Sequence, residues 1–148
     1  MLHPVAGRPM LAHLLASVDA LAPADKVVVV GAEREQVERL AAANGAAIAV
    51  QEAQLGTGHA VAQAQAALAG FAGDVLVLYG DVPLVRPETM ARMLERLHGD
   101  DMPASVVLGF RPPDPLSYGR ILARLDGTID KMVEHKDATS EELSLIHI

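Results

Sequence analysis

Cysteine is missing from the 148 residues altogether, which rules out a disulfide framework and a thiolate metal site and suits a reducing cytoplasm. Positive charge is also scarce: 12 Lys and Arg stand against 19 Asp and Glu, a formal charge of −7. A general nucleic-acid binder needs a basic face to displace counterions, so that class is excluded. A single nucleotide is not, because backbone N–H groups, a few basic side chains and a divalent cation can hold its phosphates. No apolar run approaches the roughly 20 residues of a membrane span. The N-terminus shows no basic stretch leading into an apolar core and a small-residue cleavage site. The expectation is a soluble, cytoplasmic protein with neither membrane nor nucleic acid as partner. The six histidines form no i, i+4 pair with a third ligand, which argues against zinc.

What is present is a globular composition, 51% hydrophobic against 21% charged, in a length that fits one domain. Leu11, Leu14, Leu15, Val18 and Leu21 fall on one face of a helix over 8–21, with Pro9 in its first turn and Pro23 at its exit. Lys26 to Val30 reads as a buried strand, Gly31 as a turn, and about Glu33 to Ala43 as a helix closed by Asn44-Gly45. Ala47 to Val50 is a weaker strand, followed by the loop QEAQLGTG and an alanine-rich helix over 57–68. A strand Val75 to Tyr79, a turn Gly80 to Leu84 and a helix opened by Pro87 come next, with Met90, Met93, Leu94 and Leu97 facing the core. Strands alternating with helices imply an α/β protein with a parallel sheet and right-handed crossovers. Beyond residue 100 the pattern changes to a strand Ser105 to Phe110, an irregular loop RPPDPLSYG, and a hairpin of Arg120 to Leu125 with Thr128 to Val133 around Asp126-Gly127.

Two segments carry candidate chemistry. In VLVLYGDVPL, Asp81 stands at the carboxyl end of an apolar strand, the edge where open α/β sheets bind ligands. It could serve the turn by accepting its N–H groups, or act as a hard oxygen ligand for Mg²⁺, which needs only one or two carboxylates beside phosphate oxygens and water. Gly56-Thr57-Gly58-His59-Ala60 opens the alanine-rich helix. Its glycines permit close approach of a ligand to unpaired N–H groups, or Thr57 is simply an N-cap. Val61 occupies the third glycine position of G-x-G-x-x-G, which disfavours an NAD site. Glu134-His135-Lys136-Asp137 reads by composition as a solvated loop.

Taken in order, LHPVAGRPML, QEAQLGTGHAV, VLYGDVPL, YGRI and VEHKDAT make the stretch from Leu2 to about Glu142 similar to the bacterial bifunctional N-acetylglucosamine-1-phosphate uridyltransferase and glucosamine-1-phosphate acetyltransferase family, in its N-terminal nucleotidyltransferase domain. The resemblance implies a Rossmann-like nucleotide-diphospho-sugar transferase fold, a mixed and mostly parallel sheet flanked by helices. It implies uridylyl transfer from UTP to N-acetylglucosamine 1-phosphate, with Mg²⁺ as cofactor. By the family pattern Gln51 and Gly56 contact the uracil, and Thr57 lies beside nucleotide and sugar. Tyr79 and Gly80 line the pocket, Asp81 ligates Mg²⁺, and Gly119 and Glu134 hold the amino sugar.

The departures carry expectations of their own. Met1 stands where the family has Val, and the family's glycine-rich phosphate loop, with its Arg and a Pro-Lys, precedes that point. Leu143-Ser144-Leu145-Ile146-His147-Ile148 does not continue the family pattern, and it is the peptide that a sequencing-library adapter would encode. The family's downstream Asn residues and its trimer-forming left-handed β-helix acetyltransferase domain lie beyond this chain. The expectation is therefore a partial nucleotidyltransferase domain over 1–142, truncated at both ends, with a non-native tail over 143–148, folding poorly and inactive alone. The alternatives are another sugar-phosphate nucleotidyltransferase using a different base, and a non-catalytic nucleotide-binding domain on the same fold.

Overall fold

The computed structural model describes residues 1–31 and 34–144. The chain divides into two compact units, Met1–Ala104 and Ser105–Ile148.

The first unit opens with a hairpin, β1 (Pro4–Val5) against β2 (Arg8–Pro9). Its two-residue turn, Ala6-Gly7, has both φ angles positive, at 48° and 78°, as a tight turn matched to strand twist requires. The hairpin places the carbonyls of His3 and Met1 over the start of α1 (Met10–Asp19), where they accept the N–H groups of Met10 and Leu11. Pro9 is thus the extended N-cap of α1, not part of its first turn. At the other end Ala22, the residue before Pro23, takes φ 48°.

β3 (Val27–Val30), α2 (Glu35–Ala43) and β4 (Ala47–Val50) form the expected strand-helix-strand unit, with β3 and β4 parallel and in register from Val27 opposite Ala47 to Val30 opposite Val50. Leu11 and Leu15 of α1, Val28 and Val30 of β3, and Val37 and Ala41 of α2 join Ala46 in the core. α3 (Thr57–Gln63) and α4 (Pro87–Leu97) complete this unit. Met90 is fully buried, with Met93, Leu94 and Leu97 half-buried on the expected face.

The second unit is built on an antiparallel hairpin, β5 (Arg120–Ala123) with β6 (Ile129–Val133). Asp126 Oδ1 accepts the Thr128 N–H at 2.9 Å and its hydroxyl at 2.6 Å, and Gly127 takes φ 83°. A short 3-10 turn over His135–Asp137 and α5 (Ser140–Ser144) follow.

Three expectations are corrected. The described strands form three separate two-stranded sheets, of which only β3 with β4 is parallel, in place of one mostly parallel sheet. Val75 to Tyr79 and Ser105 to Phe110 keep their apolar sequences but are not strands. A strand exists only with a neighbour to take its backbone N–H and C=O groups, and neither segment pairs. The alanine-rich helix ends at Gln63, and 64–71 continues as turns closed mainly by three-residue backbone bonds. Alanine favours helix, but α3 buries no side chain, and most helical stability comes from a packed face. Glu33 of the expected second helix, and 145–148 of the expected tail, lie outside the described residues. No helix of the described residues is long and apolar enough to cross a membrane.

Candidate functional site

Gln51 is the first residue past β4. Its backbone N–H donates to Val30 O at 2.8 Å, carrying the β3–β4 ladder one rung further, to the carboxyl edge where α/β proteins receive ligands. Its side chain folds toward the loop: Gln51 Nε2 donates to Gly56 O at 3.1 Å and lies 3.0 Å from His59 Nδ1. Gly56 has φ 101° and ψ 179°, a region essentially confined to glycine. That conformation aims its carbonyl at Gln51 and at the Ala60 N–H, which donates to it at 3.1 Å. Gly56, not Thr57, is the N-cap of α3, and no side chain caps the helix. Thr57 is the exposed first helical residue, so the N-cap reading of Thr57 is corrected.

Tyr79, Gly80 and Asp81 form a turn closed by the Val82 N–H donating to Tyr79 O at 3.1 Å. The backbone closes this turn without help from the aspartate. Asp114 and Asp126 each accept the N–H two residues on, whereas the exposed Asp81 carboxylate has no hydrogen-bond partner among the described residues. The turn reading of its side chain therefore fails, and a hard oxygen donor is left facing solvent. No group of three or more His, Asp or Glu side chains converges among the described residues. A lone carboxylate still fits Mg²⁺, which completes its octahedron with phosphate oxygens and water.

A cavity of about 590 Å³ in the first unit is lined by Thr57, Tyr79 and Gly80, but its other walls are mainly apolar residues of α1, β3 and 75–78. Gln51, Gly56 and Asp81 are not in its lining. Apolar walls offer nothing to a polyphosphate, so the polar loop at the sheet edge, rather than this cavity, is the candidate site.

In the second unit Gly119 and Glu134 meet across the hairpin. Arg120 pairs with Val133, which sets the preceding glycine opposite the following glutamate. A Cβ on Gly119 would stand 2.9 Å from Val133 O and 3.7 Å from Glu134 Oε2, so only glycine allows this approach. Glu134 is exposed, and in the run 134–137, expected as a loop, His135–Asp137 forms an exposed 3-10 turn with the extended Glu134 before it. Sequence reasoning passed over Arg120, whose buried guanidinium donates to Tyr118 O and braces the YGRI segment. It also passed over His59 and Gln63, whose four-residue spacing on a helix was the available signal.

The MobA-like NTP transferase domain family matches residues 1–138. The bifunctional protein GlmU of Rhizorhabdus wittichii is 64% identical over 145 residues, covering 98% of this chain and 32% of that protein. Its counterpart in Novosphingobium aromaticivorans is 64% identical over 142 residues, 96% of this chain and 31% of that protein. That of Zymomonas mobilis is 52% identical over 147 residues, 98% of this chain and 33% of that protein. The chain spans about a third of the length of these relatives.

Proposed function

The chain belongs to the MobA-like NTP transferase domain family, and from that membership we propose that it is the nucleotide-handling part of an enzyme that transfers a uridylyl group from UTP to N-acetylglucosamine 1-phosphate. The product is UDP-N-acetylglucosamine, a precursor for cell-wall and lipopolysaccharide synthesis. The observation that carries this reading is the pinned loop Gln51 to Thr57 at the carboxyl edge of the parallel pair, in the same unit as the Asp81 carboxylate, which has no hydrogen-bond partner among the described residues. Identity of 64% to proteins called bifunctional protein GlmU supports it.

The chemistry is an in-line displacement. An oxygen of the sugar phosphate bonds to the α-phosphorus as the bond from that phosphorus to the bridging oxygen breaks, and pyrophosphate leaves. Such a step needs alignment and charge neutralisation rather than a covalent intermediate. Gln51 and Gly56 would hold the uracil, Thr57 would sit beside nucleotide and sugar, and Tyr79 and Gly80 would line the approach. Gly119 and Glu134 would orient the amino sugar, the glutamate accepting hydroxyl hydrogen bonds. Asp81 would hold Mg²⁺, which when bound supplies positive charge between the phosphates.

Titrating the chain with UTP, with and without Mg²⁺, tests this. UTP should bind more tightly than ATP or GTP, and Asp81→Ala should remove most of the Mg²⁺ dependence while leaving uridine itself bound as before. Equal affinity for all three triphosphates would refute the uridylyl assignment, and an unchanged Mg²⁺ dependence in D81A would refute the metal role.

A further inference from the structure

Arg120 is the one buried charged residue among those described, 5% exposed at the start of β5. Its Nη1 donates to Tyr118 O and, at 3.5 Å, to Gly119 O. Carbonyls carry only partial charge, and no Asp or Glu among the described residues comes within 4.0 Å of the guanidinium, not even Glu134 across the ladder. A charge taken out of water without a counter-ion is strongly unfavourable. Nε and Nη2 make no hydrogen bond among the described residues, and no buried side-chain nitrogen among them lacks a partner, so both reach the surface. Their N–H bonds run parallel, and this is the edge with which a guanidinium takes an oxyanion at two points. The stem is thus covered, Nη1 is committed to the backbone, and the anion-binding edge is open.

That edge belongs to the segment that holds Gly119 and Glu134. Nη1 lies 3.5 Å from Gly119 O, and a Cβ on the same glycine would stand 3.7 Å from Glu134 Oε2, so cation and carboxylate flank one residue. We propose that Nε and Nη2 of Arg120 receive the phosphate of the acceptor sugar phosphate while Glu134 takes its hydroxyls. The proposal rests on the sugar reading of Gly119 and Glu134 and supplies the positive charge which that pair lacks, since a carboxylate alone repels a phosphate. A phosphate monoester offers three acceptor oxygens. The fork holds two and leaves the third free to bond to the α-phosphorus, so Arg120 binds and orients without taking part in bond making. A carboxylate fits the same fork but brings less charge and no third oxygen.

The test follows the Arg120 Nε–Hε correlation in the ¹⁵N-labelled 148-residue chain, identified by its loss in Arg120→Lys. N-acetylglucosamine 1-phosphate and inorganic phosphate should each shift it, and N-acetylglucosamine should not. The sugar phosphate should bind roughly tenfold or more tightly than the free sugar, as expected for a charge-assisted pair of bonds. R120K keeps a charge but loses the fork, and should remove most of that difference while leaving the affinity for the free sugar unchanged. Equal weakening of sugar and sugar phosphate in R120K would make Arg120 a brace for the backbone alone and overturn the proposal. Acetate shifting the signal at the same concentrations as phosphate would overturn the choice of phosphate. Sugar phosphate bound with the Arg120 signal unmoved also overturns the proposal, and leaves the sugar reading standing. If inorganic phosphate moves the signal but the sugar phosphate binds no more tightly than phosphate, the sugar reading fails, and with it the sugar phosphate as occupant.

Discussion

Gly56 shows how much one residue's backbone decides. At φ 101° and ψ 179° any other residue would carry strain of about 1 to 3 kcal/mol, although a Cβ there would touch nothing within 4 Å. The cost is therefore conformational rather than steric. Gly56→Ala should relieve it by rotating the peptide, which turns the carbonyl away from Gln51 Nε2 and from the Ala60 N–H. The expected outcome is loss of the first turn of α3 and of uridine preference together, followed by amide exchange over 57–61 and by nucleotide titration. Intact exchange protection in G56A would show that the carbonyl's aim does not depend on glycine. Asp81 makes the complementary point. Its residue type was informative in the sequence, but two readings stayed open until the turn was seen to close through Tyr79 O without the carboxylate.

At the scale of elements, local signals fixed what local forces can fix. Pro87 opens α4 and Asn44-Gly45 closes α2 as the sequence indicates, because capping and proline geometry act within a turn. α5 is held in the same way: the Thr139 N–H donates to Glu142 Oε2 at 2.8 Å and the Glu142 N–H to Thr139 Oγ1 at 3.2 Å, a reciprocal cap. Lys131 Nζ reaches Glu142 Oε1 at 2.6 Å, and this bond, with that from the Thr139 N–H, holds the Glu142 carboxyl below its ordinary value. A group lowered on folding contributes stability that is complete above its unfolded value and is lost as pH falls through its folded value. α5 should therefore fray in acid, below the usual glutamate range, as read from Cα chemical shifts of 140–144. Glu142→Gln, which keeps an accepting oxygen but cannot titrate, should abolish that pH dependence; the same acid transition in E142Q would assign it to another group. The alanine-rich stretch fared differently, since propensity alone did not carry α3 past Gln63.

For the molecule as a whole, pairing is the weak point. Isolated two-stranded sheets are marginal in water, and all the described strands belong to such pairs. Val75 and Val77 are 57% and 48% exposed, although their segment is among the most apolar in the chain. With only about 5 to 15 kcal/mol separating a typical domain from its unfolded state, open apolar segments of this kind weaken cooperativity. The purified chain should bind a hydrophobic dye and melt over a broad range; a single sharp transition with well-dispersed amide resonances would contradict this. The sequence by itself determined the opening of α4 at Pro87, the close of α2 at Asn44-Gly45, the β3–α2–β4 unit, the Asp126-Gly127 hairpin and the candidate residues, because periodicity, caps and turn chemistry act over a few residues. Only the tertiary structure decided that Val75 to Tyr79 stays unpaired, that Gly119 faces Glu134, and that His59 reaches back to Gln51. Those outcomes depend on which distant backbones become neighbours, and no local pattern carries that information.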